Sequence, residues 1–509
     1  MDWNAVLSGL SMLWSWDCFI CLLIGVIGGM IVGILPGFGA MMAISILLPI
    51  TYGMNSSAAL VMLTAIYASA IYGGSITATL CHTPGTNASA ATAIDGFELT
   101  RQGRGMEAVG VCTLASGIGG IAGALALLFI APPLGKFSLK FSCLEYFLLA
   151  VFGLTVISAV VGKNVWKGLT SAALGVLFGT VGIDAITMYP RYTFHILRLE
   201  DGFNFIPALI GLFTISQLMI MATEVKRGQR AIVIDESNLG NRRLPPWKEL
   251  KSCFPTIIRS SIIGVIIGIV PAAGAGISSW VNYSLGQRFS KHPEKFGHGS
   301  FEGVASAETG NNAACGGALI PMITLGLPGS GVAAILLGGM MLHGLTPGPK
   351  MFNQYAPTTY SIIIGYLFTN VLMLVIGMFI AKYVARVAQA PMAVLAPVVG
   401  CLCLVGTFAI NNSMFDVVLC LIFGLLGYAM KKHDFATAPM VLGMILSDIC
   451  EDNWRRAVIL SRGDMMGYFL RRPIAIILAL CIITSLLLPF ISNIIKKSRA
   501  KKVAAKVEA

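Results

Sequence analysis

The chain has 509 residues, of which 11% are Asp, Glu, Lys or Arg and 56% are apolar, against roughly 25% charged in ordinary soluble domains. So few charges could not cover the surface of a soluble protein this long, which excludes a water-soluble globular class. The formal charge of +12 resides in short breaks between apolar runs and at the chain end, the positive-inside pattern of a membrane protein and not the basic face of a nucleic-acid binder.

The first predicted elements lie in an interval without any Asp, Glu, Lys or Arg, between Asp17 and Asp95. A hydrocarbon core takes roughly 20 helical residues per crossing, so this interval has room for about three. No basic start or small-residue cleavage site precedes it, and the first apolar run is expected to be retained. Cys18 and Cys21 have redox-motif spacing but no second pair, and like most of the twelve cysteines they read as small buried hydrophobes. Uncharged runs follow at 108–135, 260–287, 309–349, 351–381, 387–414 and 473–495, with less clean ones at 143–162, 166–188 and 203–222. Together they predict about twelve transmembrane or re-entrant helices in an all-α polytopic membrane protein. A β-barrel would alternate apolar and polar residues over roughly ten-residue strands, and these runs are continuous. The basic connector at 224–252 carries Lys226, Arg227, Arg230, Arg242, Arg243, Lys248 and Lys251, and the tail at 496–509 carries six more cations, which places both in the cytoplasm.

Internal similarity divides the chain into two halves, 1–223 and 253–495. GILPGFGA at 33–40 matches GIVPAAGA at 268–275 with an offset of 235. Gly73-Gly74 and Pro84-Gly85-Thr86 match Gly316-Gly317 and Pro328-Gly329-Ser330 with offsets of 243 and 244. The difference falls in the polar excursion at 287–299, which has no equally long counterpart in the first half. A third pair, Phe203-x3-Pro207-x3-Gly211 and Phe435-x3-Pro439-x3-Gly443, has an offset of 232. Such repeats, inverted by preference here, build transporters whose site lies where the halves meet.

Gly and Pro inside apolar runs break helices, and in hydrocarbon the freed backbone groups need a protected cavity. Pro84, Gly85, Thr86 and Asn87 in the first half, and Pro328, Gly329 and Ser330 in the second, can each start a half-helix inside the membrane, with Pro in the first turn and a hydroxyl or amide at the cap. Exposed N–H groups at such a tip suit a carboxylate, so these residues are the candidate substrate site together with the buried amides Asn311 and Asn312. Gly37, Gly39, Gly274 and Gly276 are candidate positions for a cation-binding unwound segment. Close helix packing is the competing explanation for all of these glycines. Glu302 and Glu308 share a helical face that could reach the cavity mouth. Asp184, Arg191 and His195 form a cluster for which salt bridging and capping outweigh a grip on substrate, and Asp416 and Asp448 stay open between the same roles.

At these boxes the sequence resembles the large membrane (permease) subunit of the tripartite tricarboxylate transporter family, from the box at 33–40 to about Asp464. The most specific stretch is GVASAETGNNAACGGALIPMITLGLPGSGVAAILLGGMMLHGLTPGP at 303–349, and KGLTSAALGVLFGTVGID at 167–184 is also similar. The resemblance implies a multi-pass protein of a bacterial inner membrane, surrounded by lipid and working with a small membrane subunit and a periplasmic solute-binding protein. It further implies import of citrate-like tri- or dicarboxylates coupled to Na⁺ or H⁺, without a cofactor or a metal beyond a possible Na⁺. Consistently, no G-x4-G-K-[ST] phosphate loop is present. The rival classes are a channel and a membrane-embedded enzyme. The enzyme needs a clustered nucleophile and base or a metal set, whereas the six histidines are scattered and no H-E-x-x-H occurs, so no enzymatic activity is expected.

Overall fold

Long apolar runs become helices here because in lipid every backbone N–H must find its carbonyl within the same segment. The computed structural model describes all residues except 1, 2, 36, 162, 163, 185, 186, 226–238, 241, 272, 390, 391 and 488–509. Pro36, the connector cations Lys226, Arg227 and Arg230, and the whole basic tail therefore lie outside the described residues.

The first half runs through α1 (Trp3–Leu13), α2 (Trp16–Ile34), α3 (Gly39–Leu47), α4 (Ser56–Cys81), α5 (Thr92–Arg101), α6 (Gly105–Ser138), α7 (Cys143–Val161), α8 (Val165–Gly179) and α9 (Phe205–Ile210), which passes through a π-helical turn at Gly211–Ile215 into α10 (Ser216–Val225). The second half contains α11 (Trp247–Ile269), α12 (Gly274–Phe289), α13 (Phe301–Leu325), α14 (Gly331–Leu342), α15 (Lys350–Asn353), α16 (Ala356–Ala385), α17 (Met392–Asn411), α18 (Met414–Lys432), α19 (Thr437–Ser461) and α20 (Met465–Leu470). Side-chain caps fix several starts: Ser15, Asn55, Asn164, Ser300 and Ser330 each accept a first-turn N–H. Among the described residues eight helices are long and apolar enough to cross a membrane, and five shorter apolar ones accompany them. Among the described residues the only β structure pairs Gly182–Ile183 with Pro190–Arg191.

The chain packs as two compact units, one of residues 1–138 and 206–428, the other of 139–205 and 429–509. Each takes chain from both halves of the sequence. In the larger unit α4 and α13 are buried along nearly their whole length and form its centre. α11 shows why this unit belongs in lipid: Gly264 and Gly268 face α13, while Phe254, Ile258, Ile262 and Ile266, one turn apart, point outward. In water that stripe would be the buried one.

In the smaller unit α19 packs on α7 and α8, with Gly175 and Gly443 letting the backbones of α8 and α19 approach. Asp184, nearly fully buried, accepts two bonds from Arg455 at 2.8 and 2.7 Å, and Arg191 grips Glu451 at 2.6 and 3.0 Å. Asp184 and Arg191 thus join a four-residue ion network, the salt-bridging role their spacing favours, and His195 is exposed. Pro207 and Pro439 of the third repeat both stand at the third residue of a helix, where a missing N–H costs nothing.

Candidate functional site

The larger unit builds one device twice. α2 is followed by Gly39 in a left-handed conformation (φ 62°), from which α3 starts, and α11 is followed by Gly274 (φ 59°), from which α12 starts. α4 ends on a left-handed His82 (φ 54°) and α13 on a left-handed Gly326 (φ 71°). Each end leads into a Pro-Gly tip and a further helix, α5 or α14. Gly39 and Gly274 need positive φ to turn the chain, which is why the boxes carry glycine there.

The interhelical contacts correspond in the same way. A Cβ on Gly73 of α4 would lie 2.5 Å from the Met30 carbonyl oxygen, and one on Gly317 of α13 would lie 2.6 Å from that of Val265. Cβ atoms on Gly33 and Gly268 would collide with the carbonyls of Ala70 and Ala314. The tip glycines are seated alike: a Cβ on Gly85 would strike the Gly33 carbonyl and lie 2.8 Å from Gly74 Cα, and a Cβ on Gly329 would lie 2.6 Å from the Gly268 carbonyl and 2.7 Å from Ala318 Cα. These contacts set the glycine pairs one residue off the match read from sequence, Gly73 against Gly317 and Gly74 against Ala318, in one register of 244 with the tips. Close packing, the competing explanation, is therefore what Gly85 and Gly329 do.

Those neighbours reach across the halves. Ser330 caps α14 by accepting from the Ala333 N–H at 3.1 Å, and its hydroxyl lies 3.1 Å from the Tyr67 hydroxyl of α4. Asn311 of α13 points its amide at the Ala88 carbonyl of the first tip, at 3.4 Å. Tyr67 and Asn311 are themselves 244 residues apart, so each central helix sends the corresponding side chain to the other half's tip. A Cβ on Gly276 of α12 would lie 3.8 Å from the Asn87 carbonyl. Thr86 is held by a capping box with Ser89, and the Thr86 and Ser330 side chains keep similar slivers of exposure, 8% and 7%. Pro84 and Asn87 are exposed, and Pro328 is buried. Gly37 stands apart, facing Met221 of α10 with room for a Cβ at 3.4 Å.

Asn312 donates to the Asn311 Oδ1 at 2.7 Å, while its own Oδ1 is buried without a partner. Glu308 does not reach a cavity mouth as its face suggests, because α4, α5 and α6 pack over it and leave it fully buried. It accepts from Thr92 of α5, from Ser116 of α6 at 2.8 Å and from Asn311 at 3.3 Å. Glu302, by contrast, takes a bond from Ser290 at the other end of the face. Asp95 of α5 is also fully buried and ties down the polar excursion: its Oδ1 accepts from the N–H groups of Gly297, Gly299 and Ser300 at 2.8, 3.0 and 2.9 Å, and its Oδ2 from Tyr283 at 2.8 Å. Asp416 accepts from Asn411 at 2.8 Å beside the start of α18. Tyr67, Thr92 and Ser116 are not singled out by sequence reading, although the offset of 244 from Asn311 would have pointed to Tyr67. Among the described residues no three His, Cys, Asp or Glu side chains gather as a metal site.

The profile of the Tripartite tricarboxylate transporter TctA family matches residues 19–442. An uncharacterized 52.8 kDa protein in the TAR-I ttuC' 3' region of Agrobacterium vitis is 36% identical over 481 residues, covering 93% of this chain and 92% of its own. An uncharacterized protein in the TAR-II ttuC' 3' region of the same organism is 35% identical over 228 residues, 44% of this chain and 94% of its own. No solved structure matches.

Proposed function

From the premise that the chain belongs to the Tripartite tricarboxylate transporter TctA family, we propose that it is the large permease subunit of a binding-protein-dependent secondary carrier. It imports small organic carboxylates of the citrate type across a bacterial inner membrane, coupled to Na⁺ or H⁺. A periplasmic solute-binding protein delivers the substrate, and a small membrane subunit completes the assembly. The two sequence halves, joined by the basic connector, both contribute to the larger unit that holds the tips.

The observation that carries this reading is the pair of tips, each reached by a side chain from the other half's central helix. α14 starts at Ser330, and the first-turn N–H groups of a helix have no acceptor within it. Together with the hydroxyls of Thr86 and Ser330 and the amide of Asn87, they offer donors to a carboxylate, which the Asn311 and Asn312 amides join only by giving up their bonds to Glu308, the Ala88 carbonyl and the Asn311 oxygen. Gly39, Gly274 and Gly276, beside the tips, leave room for a cation against backbone carbonyls, and Gly37 is the weakest member of that set. A carrier of this kind alternates access by moving one half against the other around such a site.

The test is uptake of labelled citrate and of smaller dicarboxylates into proteoliposomes holding the permease, its small subunit and the loaded binding protein. Thr86→Ala and Ser330→Ala each remove a donor to a charged group, worth about 1.5–3 kcal/mol. Each is expected to slow uptake by about tenfold or more while the protein still elutes as a folded species. Uptake that proceeds without the binding protein, or an ungated conductance, would contradict the carrier. Unchanged uptake in both variants would remove the tips from the substrate site.

A further inference from the structure

Most buried carboxylates of this chain have an evident charge partner or a fixed set of donors. Glu107 pairs with Arg104, Glu145 with Arg472 and Asp184 with Arg455, and Asp95 is saturated on Oδ1 by backbone N–H groups that can only donate. Glu308 is different. It is fully buried at the centre of the larger unit, and no Lys, Arg or His among the described residues lies within ion-pair distance of it. An isolated carboxylate without a counter-charge is costly in such a place, by several kcal/mol, and the group takes up a cation or a proton instead.

Its surroundings decide between the two. The Thr92 and Ser116 hydroxyls each can donate to a carboxylate or, after rotation, accept from a carboxylic acid, so this cage fits both protonation states. Asn311 turns its Nδ2 toward Glu308, because its Oδ1 is taken by Asn312 at 2.7 Å. An NH₂ group aimed at the carboxylate repels a metal cation and does not hinder a proton. The titratable groups facing Glu308 are Tyr72 of α4, Cys112 of α6 and Cys315 of α13 itself. From α5 the nearby acid is Asp95, engaged with the excursion. Of the cations on packed elements, Arg104 lies over the Phe301 ring, Arg259 over the Phe289 ring and Arg101 pairs with Glu98, while Tyr283 of α12 bonds Asp95 and His82, at the end of α4, packs on Phe97.

We infer that Glu308 is the proton-carrying group of this protein, binding one proton reversibly and communicating with the first tip through the Asn311 amide. That amide lies 3.3 Å from Glu308 Oε1 and 3.4 Å from the Ala88 carbonyl, so one side chain serves both. The position corresponding to Glu308 in the first half is Thr64, which leaves one such group per chain. An anion arriving at the tips disfavours the ionised carboxylate, and by linkage a proton on Glu308 favours the anion. Only an O–H bond is made and broken: the proton is taken from the outer side with the substrate and released to the inner side after it.

This rests on the carrier reading for its purpose but is tested without substrate. Purified protein is titrated from alkaline to acidic pH and the C=O band of protonated carboxylic acid is followed by infrared difference spectroscopy. A titrating band is expected in the native protein and is lost in Glu308→Gln. Should that variant fail to fold, Asn311→Ala identifies the same group: losing a donor to the charged form moves the midpoint to higher pH. A spectrum unchanged in both variants, or a band removed by Na⁺ at constant pH, would overturn the assignment. Citrate is then added to the native protein as a tricarboxylate probe. A raised midpoint is the expected result, whereas a titration that persists without any shift leaves the proton site standing and counts against the citrate reading.

Discussion

Alanine at Gly33 or Gly268 is expected to destabilise the protein by about 3 kcal/mol, lowering its thermal midpoint in detergent by several degrees. The cause is backbone meeting backbone. A Cβ on Gly33 would overlap the Ala70 carbonyl of α4, and one on Gly268 the Ala314 carbonyl of α13. Neither neighbour is the far end of a flexible side chain, so the helices themselves must separate. Their separation also unseats the tips, because Gly85 lies against the Gly33 carbonyl and Gly329 against that of Gly268. The internal control is Gly28 of α2, one helical turn and a residue earlier, where a Cβ meets nothing within 4 Å. Gly28→Ala is expected to be neutral or to stabilise by up to about 1 kcal/mol through helix propensity. Fluorescence-detected size-exclusion after heating ranks the three variants. Gly33→Ala as robust as Gly28→Ala would refute the close approach.

Asp95→Ala is the second large effect, a loss of about 4 kcal/mol. The substitution removes the acceptor of four bonds and leaves the N–H groups of Gly297, Gly299 and Ser300 facing a gap inside the protein. Buried donors without partners cost more than the bonds contributed. Asp95→Asn keeps an oxygen for the three N–H groups and an NH₂ for the Tyr283 hydroxyl, and is expected to recover more than half of the loss. The local readout is trypsin cleavage at Lys291 or Lys295 in the excursion, which should quicken in the alanine variant and return toward the native rate with asparagine. Equal cleavage of all three proteins would mean that Asp95 does not anchor this segment.

These two sites also mark where sequence reading stops. The glycine boxes were legible because positive φ and close approach demand glycine locally, and their spacing repeats. What each glycine touches was not, since Gly33 meets Ala70 and Gly85 only after three helices have packed. Asp95 gave no local sign of its role. Its partners lie about two hundred residues away, and three of the four are backbone groups, which carry no residue-specific signal. Glu308 is visible in the sequence as a charge in an apolar run, on a face that could reach a cavity mouth. The covering by α4, α5 and α6 reverses that placement. Tyr67 carried no signal of its own, being one aromatic among many in an apolar run, until Asn311 supplied its counterpart.

Residence in lipid, helical architecture, the matching Gly-Pro boxes and the family are legible along the chain, because each follows from solvent, backbone geometry or ordered motifs that are local. Which half reaches which tip, the burial of Glu308 and the division into compact units that take chain from both halves emerge only on packing. Those depend on contacts between residues separated by most of the chain, and no local composition encodes which of many apolar faces will meet.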